Sequence, residues 1–106
     1  MLTIRDVQVF AFAPTTENLV VVKVLTSEPE LFGLGDATFT QRHTAVVAAV
    51  NDYLRPLLIG RDPRNTEELW RLMHHNGYWR NGPVLNNAIA GIDLALWDIK
   101  GKLANL

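Results

Sequence analysis

Cysteine is absent from this 106-residue chain, which removes thiol catalysis and cysteine-based zinc sites and suits a reducing compartment. No excess of either charge is present. Ten Lys and Arg stand against eleven Asp and Glu, so there is no polybasic surface to attract nucleic acid. No apolar run approaches the roughly 20 residues that span a bilayer. Met1-Leu2-Thr3 runs straight into a strand-like pattern, without the basic and apolar regions of a secretory signal. The expectation is a single cytoplasmic domain with neither nucleic-acid nor membrane partner, large enough to bury an ordinary core.

What is present divides near residue 40. Before it lie three strand candidates, Thr3 to Phe12, Leu19 to Thr26 and Leu31 to Thr38. The second is the clearest, with Val20, Val22 and Val24 on one face and Lys23 on the other. The first switches phase between Ile4 and Val7, which predicts a bulge or two partly covered faces. The connections Pro14 to Asn18 and Ser27 to Glu30 are short and Pro-punctuated, so the cheapest topology is an antiparallel meander.

From Thr40 onward the period is helical. Val46, Val50, Leu54 and Leu57 recur at helical spacing, Thr40 or Thr44 is placed to cap the start, and Pro56 should end the regular helix. A second helix is expected to begin at Asn65 and stop at Gly77. The loop Tyr78-Trp79-Arg80-Asn81-Gly82-Pro83 then leads into a last helix at about 86–104.

That last helix is apolar on two sides. At about 100° per residue, Ile89, Ile92, Leu96, Ile99 and Leu103 gather on one stripe, and Ala90, Leu94, Trp97 and Gly101 on another. Asp93 and Lys100 fall between them, placed for a partly dry ion pair. No left-handed cap is expected at its end, so the chain reads as the first piece of something longer. The fold class is α+β: a three-stranded antiparallel meander followed by a helical half.

Ala90-Gly91-Ile92-Asp93-Leu94-Ala95-Leu96-Trp97-Asp98-Ile99-Lys100-Gly101-Lys102 resembles the last cap-domain helix of the mandelate racemase and muconate lactonizing branch of the enolase superfamily. Gly33-Leu34-Gly35-Asp36-Ala37-Thr38, Leu58-Ile59-Gly60-Arg61-Asp62-Pro63 and Tyr78 to Pro83 narrow the resemblance to the mannonate dehydratase subgroup, which includes proteins named as starvation-sensing. The resemblance covers residues 1–106 as an N-terminal capping domain. It implies a catalytic (β/α) barrel downstream, absent from this chain, that carries acidic Mg2+ ligands and the acid/base groups. The implied reaction is a carbon–oxygen lyase step, dehydration of an acid sugar of mannonate or gluconate type to a 2-keto-3-deoxy acid. The implied partners are that barrel, the acid-sugar substrate and further copies in a homo-oligomer.

No residue of this chain is nominated as catalytic or as a metal ligand. A cap supplies a lid that excludes water and shapes the pocket, so the candidate substrate-binding residues are Thr40, Trp79 and Arg80. Thr40 stands where the mannonate-type pattern commonly has Asn, an exchange of a two-way amide for one short hydroxyl that points away from mannonate toward gluconate. Its alternative role is a helix N-cap. Trp79 and Arg80 offer an apolar wall and a guanidinium, or else packing against the barrel or another subunit. His74 and His75 point about 100° apart and make a poor ligand pair. His43 reads as an ordinary first-turn residue, Asp36 as a turn carboxylate, and Asp98 with Lys102 as an i,i+4 pair. Two other readings stay open: the same cap on a racemase, epimerase or cycloisomerase, and a non-catalytic binding or oligomerisation module.

Overall fold

The computed structural model describes residues 1–13, 17–75 and 82–105. Three strands, β1 (Ile4–Phe12), β2 (Leu19–Thr26) and β3 (Phe32–Asp36), form one antiparallel sheet in the order β1-β2-β3. Helices follow: a 3-10 turn Thr40–Arg42, then α1 (His43–Ala48), a π-helical segment Ala49–Leu54 and α2 (Arg55–Leu58) in one continuous run. After these come α3 (Thr66–His75) and α4 (Pro83–Leu103). The shortest dimension is 20 Å, the thickness of one sheet and one helical layer.

The alternation of β2 sets the layering. Val20, Val22 and Val24 are fully buried against the helices, and the residues paired with them, Val7 and Val9 on β1 and Gly33 and Gly35 on β3, share that face. The phase switch in β1 is a bulge: Ile4 pairs with Thr26 and Asp6 with Leu25, leaving Arg5 as the extra residue. Ile4 and Val7 are thereby both turned into the core. Asp6 secures the irregularity, accepting from the Val7 N–H at 2.9 Å and from Arg55 Nε at 2.7 Å.

Pro56 does not end its helix. Proline lacks the N–H for the usual bond, and its ring clashes with the carbonyl four residues back. The preceding π-helical turn, in which the Arg55 N–H reaches the Val50 carbonyl, widens the backbone there, and the helix continues to Leu58. Gly60, at φ +90°, then reverses the chain. Its N–H donates to the Ile4 carbonyl at 2.8 Å, and the Ile4 N–H donates to the Arg61 carbonyl at 2.7 Å. This exchange fastens the start of β1 to the helical half.

α3 begins at Thr66, with the Asn65 carbonyl accepting the Leu69 N–H at 3.0 Å; the expected stop at Gly77 lies outside the described residues. α4 starts at Pro83, earlier than its apolar stripes suggested, because proline suits a first turn whose N–H groups have no partner. At its other end the expected absence of a left-handed cap is corrected: Asn105 sits at φ +61°. The Ala104 N–H donates to the Lys100 and Gly101 carbonyls and the Asn105 N–H to that of Lys102, so the last turn is satisfied locally.

The sheet meets α4 with almost nothing between the backbones. A Cβ on Gly35 would lie 1.8 Å from the Gly91 carbonyl oxygen, one on Gly33 would lie 1.9 Å from that of Ala95, and one on Gly91 would meet the Ala37 Cβ at 2.5 Å. The glycines of the Gly33 to Thr38 motif are thus a packing requirement. Ile89, Ile92, Leu96 and Ile99 of the first stripe are buried here.

Candidate functional site

At the C-terminal end of β3 the chain turns out of the sheet toward α1, carrying Thr40. Asp36 is a turn carboxylate as expected: its Oδ1 accepts the Thr38 N–H at 2.9 Å and the Thr38 hydroxyl at 2.5 Å. With its proton committed there, Thr38 Oγ1 accepts the Val20 N–H at 3.1 Å, and the Ala37 N–H donates to the Val20 carbonyl at 3.0 Å. Phe39 packs against the core. Thr40 is held between this hydrogen-bonded corner and α1.

Neither expected threonine cap forms. The residue before the 3-10 turn is Phe39, and the residue before α1 is Arg42; neither makes a side-chain capping bond. Thr44 lies inside α1 and Thr40 inside the 3-10 turn, where a hydroxyl cannot reach the N–H groups ahead of it. Among the described residues the half-buried Thr40 hydroxyl has no hydrogen-bond partner. Trp79 and Arg80 lie outside the described residues.

The second apolar stripe of α4 faces outward beside α3. Leu94 and Trp97 are 53% and 51% exposed, Trp70 of α3 is 41% exposed, and Leu103, beyond the reach of the sheet, is 47% exposed. Between them lies a cleft of about 350 Å³ lined by Thr66, Glu67, Trp70, Arg71, Asp93 and Trp97. The predicted Asp93–Lys100 pair does not form. Lys100 Nζ lies instead over the Trp97 ring, 4.7 Å from its centroid, because two helical turns separate the charges while the indole is one turn away. Asp93 has no hydrogen-bond or ion-pair partner among the described residues, and burial pushes its carboxyl above the ordinary range.

The other candidates are structural. His74 stacks on Trp70 with ring centroids 4.8 Å apart, and its ring meets that of His75 edge-on. His43 opens α1. Among the described residues no three His, Cys, Asp or Glu side chains stand close enough to hold a metal ion. A cleft of about 640 Å³ beside α3, lined by Gly60, Arg61, Asp62, Leu72 and His75 among others, contains none of the predicted site residues.

One role went unread in the sequence. Asp98 and Lys102 form the expected pair at 3.2 Å, and they also cover the free edge of β3. Asp98 Oδ2 accepts the Leu34 N–H at 3.0 Å, and Lys102 Nζ donates to the Phe32 carbonyl at 2.6 Å. An edge strand otherwise offers these groups to another chain. Helical spacing reveals the pair, but nothing local reveals the strand beside it.

Residues 2–106 match the family described as mandelate racemase / muconate lactonizing enzyme, N-terminal domain. A D-galactonate dehydratase family member of Enterocloster bolteae is 63% identical over 105 residues, 99% of this chain and 26% of that protein. The crystal structure of an enolase from Pantoea ananatis with bound D-gluconate and Mg superimposes with a TM-score of 0.95 at 57% identity, over 98% of this chain and 25% of that one. A member of the enolase superfamily from Salmonella Typhimurium gives 0.89 at 33% identity, over 98% and 27% of the respective chains. The chain therefore spans about a quarter of the length of these relatives.

Proposed function

The chain belongs to the mandelate racemase / muconate lactonizing enzyme N-terminal domain family of the enolase superfamily, and from that membership we propose that residues 1–106 are the cap of an acid-sugar dehydratase. The observation that carries this reading is the close match to the Pantoea ananatis structure that holds D-gluconate and Mg. In the proposed assembly a downstream barrel would hold Mg2+ through acidic side chains, would supply the acid and base, and the bound metal would lend charge stabilisation at the substrate carboxylate. The described residues hold no cluster fitted to that metal, so no step is assigned to it here. The cap closes the pocket, with Thr40, Trp79 and Arg80 against the substrate. The outward stripe of Leu94 and Trp97 docks on the rest of the polypeptide, the full protein works in the cytoplasm, and it assembles as a homo-oligomer.

Thr40 is the residue through which this cap affects specificity, and its hydroxyl, without a hydrogen-bond partner among the described residues, supports that role over helix capping. An unpaired polar group in a closed site is costly, so the choice of side chain there discriminates among sugar hydroxyls. With the full-length polypeptide and Mg2+, D-gluconate should yield a 2-keto-3-deoxy acid faster than D-mannonate does. Thr40→Asn should change the kcat/KM ratio of the two by about tenfold, equivalent to about 1.4 kcal/mol of transition-state discrimination. Product that retains the β-hydroxyl with inverted α-carbon would transfer the assignment to a racemase or epimerase.

A further inference from the structure

Thr40 is presented by the hydrogen-bonded corner of Asp36 and Thr38 at the end of β3. We infer that Asp36 and Thr38 are positioning residues that hold Thr40 in register with the end of the sheet and so set substrate preference at one remove. The inference rests on the lid role proposed for Thr40.

The geometry favours a clamp over an ordinary turn. A turn carboxylate bonded to the N–H two residues on stabilises only its own loop. Here the same Asp36 oxygen also accepts a hydrogen bond from the Thr38 hydroxyl, which leaves the hydroxyl oxygen's lone pair free to accept the Val20 N–H from the neighbouring strand at 3.1 Å. The Val20 carbonyl meanwhile accepts the Ala37 N–H at 3.0 Å. One threonine therefore ties the exit of β3 to the start of β2. From Thr38 the chain has a single residue, Phe39, before Thr40, and Phe39 is itself packed against the core. With Thr38 hydrogen-bonded and Phe39 packed, the Thr40 backbone has little freedom to shift. Sub-ångström placement governs how well a site discriminates between similar substrates.

Thr38→Val keeps the shape and removes the hydroxyl, whereas Thr38→Ser keeps the hydroxyl. In the full-length enzyme, Thr38→Val should shift the gluconate-to-mannonate kcat/KM ratio by about fivefold to tenfold, mainly through KM, and Thr38→Ser should restore it to within about twofold. Combined with Thr40→Asn, Thr38→Val should give less than the product of the two separate effects, since both act through one position. If Thr40→Asn shifts the ratio and Thr38→Val changes only thermal stability, the clamp is overturned while the lid role of Thr40 stands. If neither shifts it, the lid role falls and takes the clamp with it. A shift that Thr38→Ser fails to restore also overturns the clamp. Asp36 is exposed, so Asp36→Ala provides the same ratio measurement where Thr38→Val does not fold, with the same outcomes supporting or overturning the inference.

Discussion

The two sides of α4 are both apolar, yet they are built on opposite plans. Toward the sheet, Gly91 and the carbonyls of Gly91 and Ala95 meet Gly33, Gly35 and Ala37 in near backbone contact, and Ile92, Leu96 and Ile99 fill what remains. Away from the sheet, Leu94 and Trp97 are half exposed, and the Asp93 carboxylate sits among them without a partner among the described residues. The inner side is complete within this chain and tolerates no added atom. The outer side combines an apolar patch with an unbalanced charge, features that mark an interface more than a solvent-facing surface. One helix thus serves as the core of this domain and, in the proposed assembly, as the floor on which the rest of the polypeptide rests.

The sharpest way to break this contrast is to add a single carbon on the inner side. Gly35→Ala places a Cβ within 1.8 Å of a carbonyl oxygen, and since backbone cannot swing aside, destabilisation of about 3 kcal/mol or more is expected, or failure to fold. Urea denaturation of the 106-residue chain measures it, and an unchanged midpoint would show that β3 and α4 are not in close contact. A smaller effect is expected at the margin between the sides. Asp98→Ala removes the acceptor for the Leu34 N–H at the edge of β3, which should cost about 1 kcal/mol and raise the tendency to aggregate through that edge. Equal stability and unchanged light scattering would remove Asp98 from the edge-capping role.

The smallest effect belongs to the outer side and has a defined sign. Burial raises the Asp93 carboxyl above its ordinary value of 3.8 in the folded chain, so the folded state binds the proton more tightly than the unfolded state does. The stability this represents is fully present below the unfolded value and is lost as pH rises through the folded one. Asp93→Asn abolishes that dependence. In the 106-residue chain it should raise Tm slightly at neutral pH and leave it unchanged near about pH 3, where both forms are neutral. A loss of Tm at neutral pH would mean that the ionised carboxylate is stabilised by a partner.

Much of the fold was legible in local patterns. The valine alternation of Val20, Val22 and Val24 placed β2 to the residue, and the parity break between Ile4 and Val7 marked a bulge. Of the first apolar stripe of α4, Ile89, Ile92, Leu96 and Ile99 are buried against the sheet, and Leu103 projects past it. Two local rules failed. Pro56 ends a regular α-helix but not one widened by a π turn, and Asn105, just past the last helical residue, supplies a left-handed cap that was not expected. At the candidate site the turn role of Asp36 was legible from its place after a glycine at a strand end. That Thr40 makes no capping bond was not, because capping depends on where the first helical turn starts, and a 3-10 turn displaces it.

The sequence by itself determined the class, the three strands and their order, the existence of the helices and the resemblance to a family, since each follows from periodicity or from motifs within a few residues. Only the tertiary structure decided that Gly33, Gly35 and Gly91 are contact surfaces, that Lys100 turns to Trp97 and not to Asp93, and that Asp98 and Lys102 guard a strand some sixty to seventy positions earlier in the chain. These are pairings between elements far apart in sequence. Their partners are chosen by which surfaces the packed backbone brings within hydrogen-bonding distance, and a one-dimensional pattern does not encode that proximity.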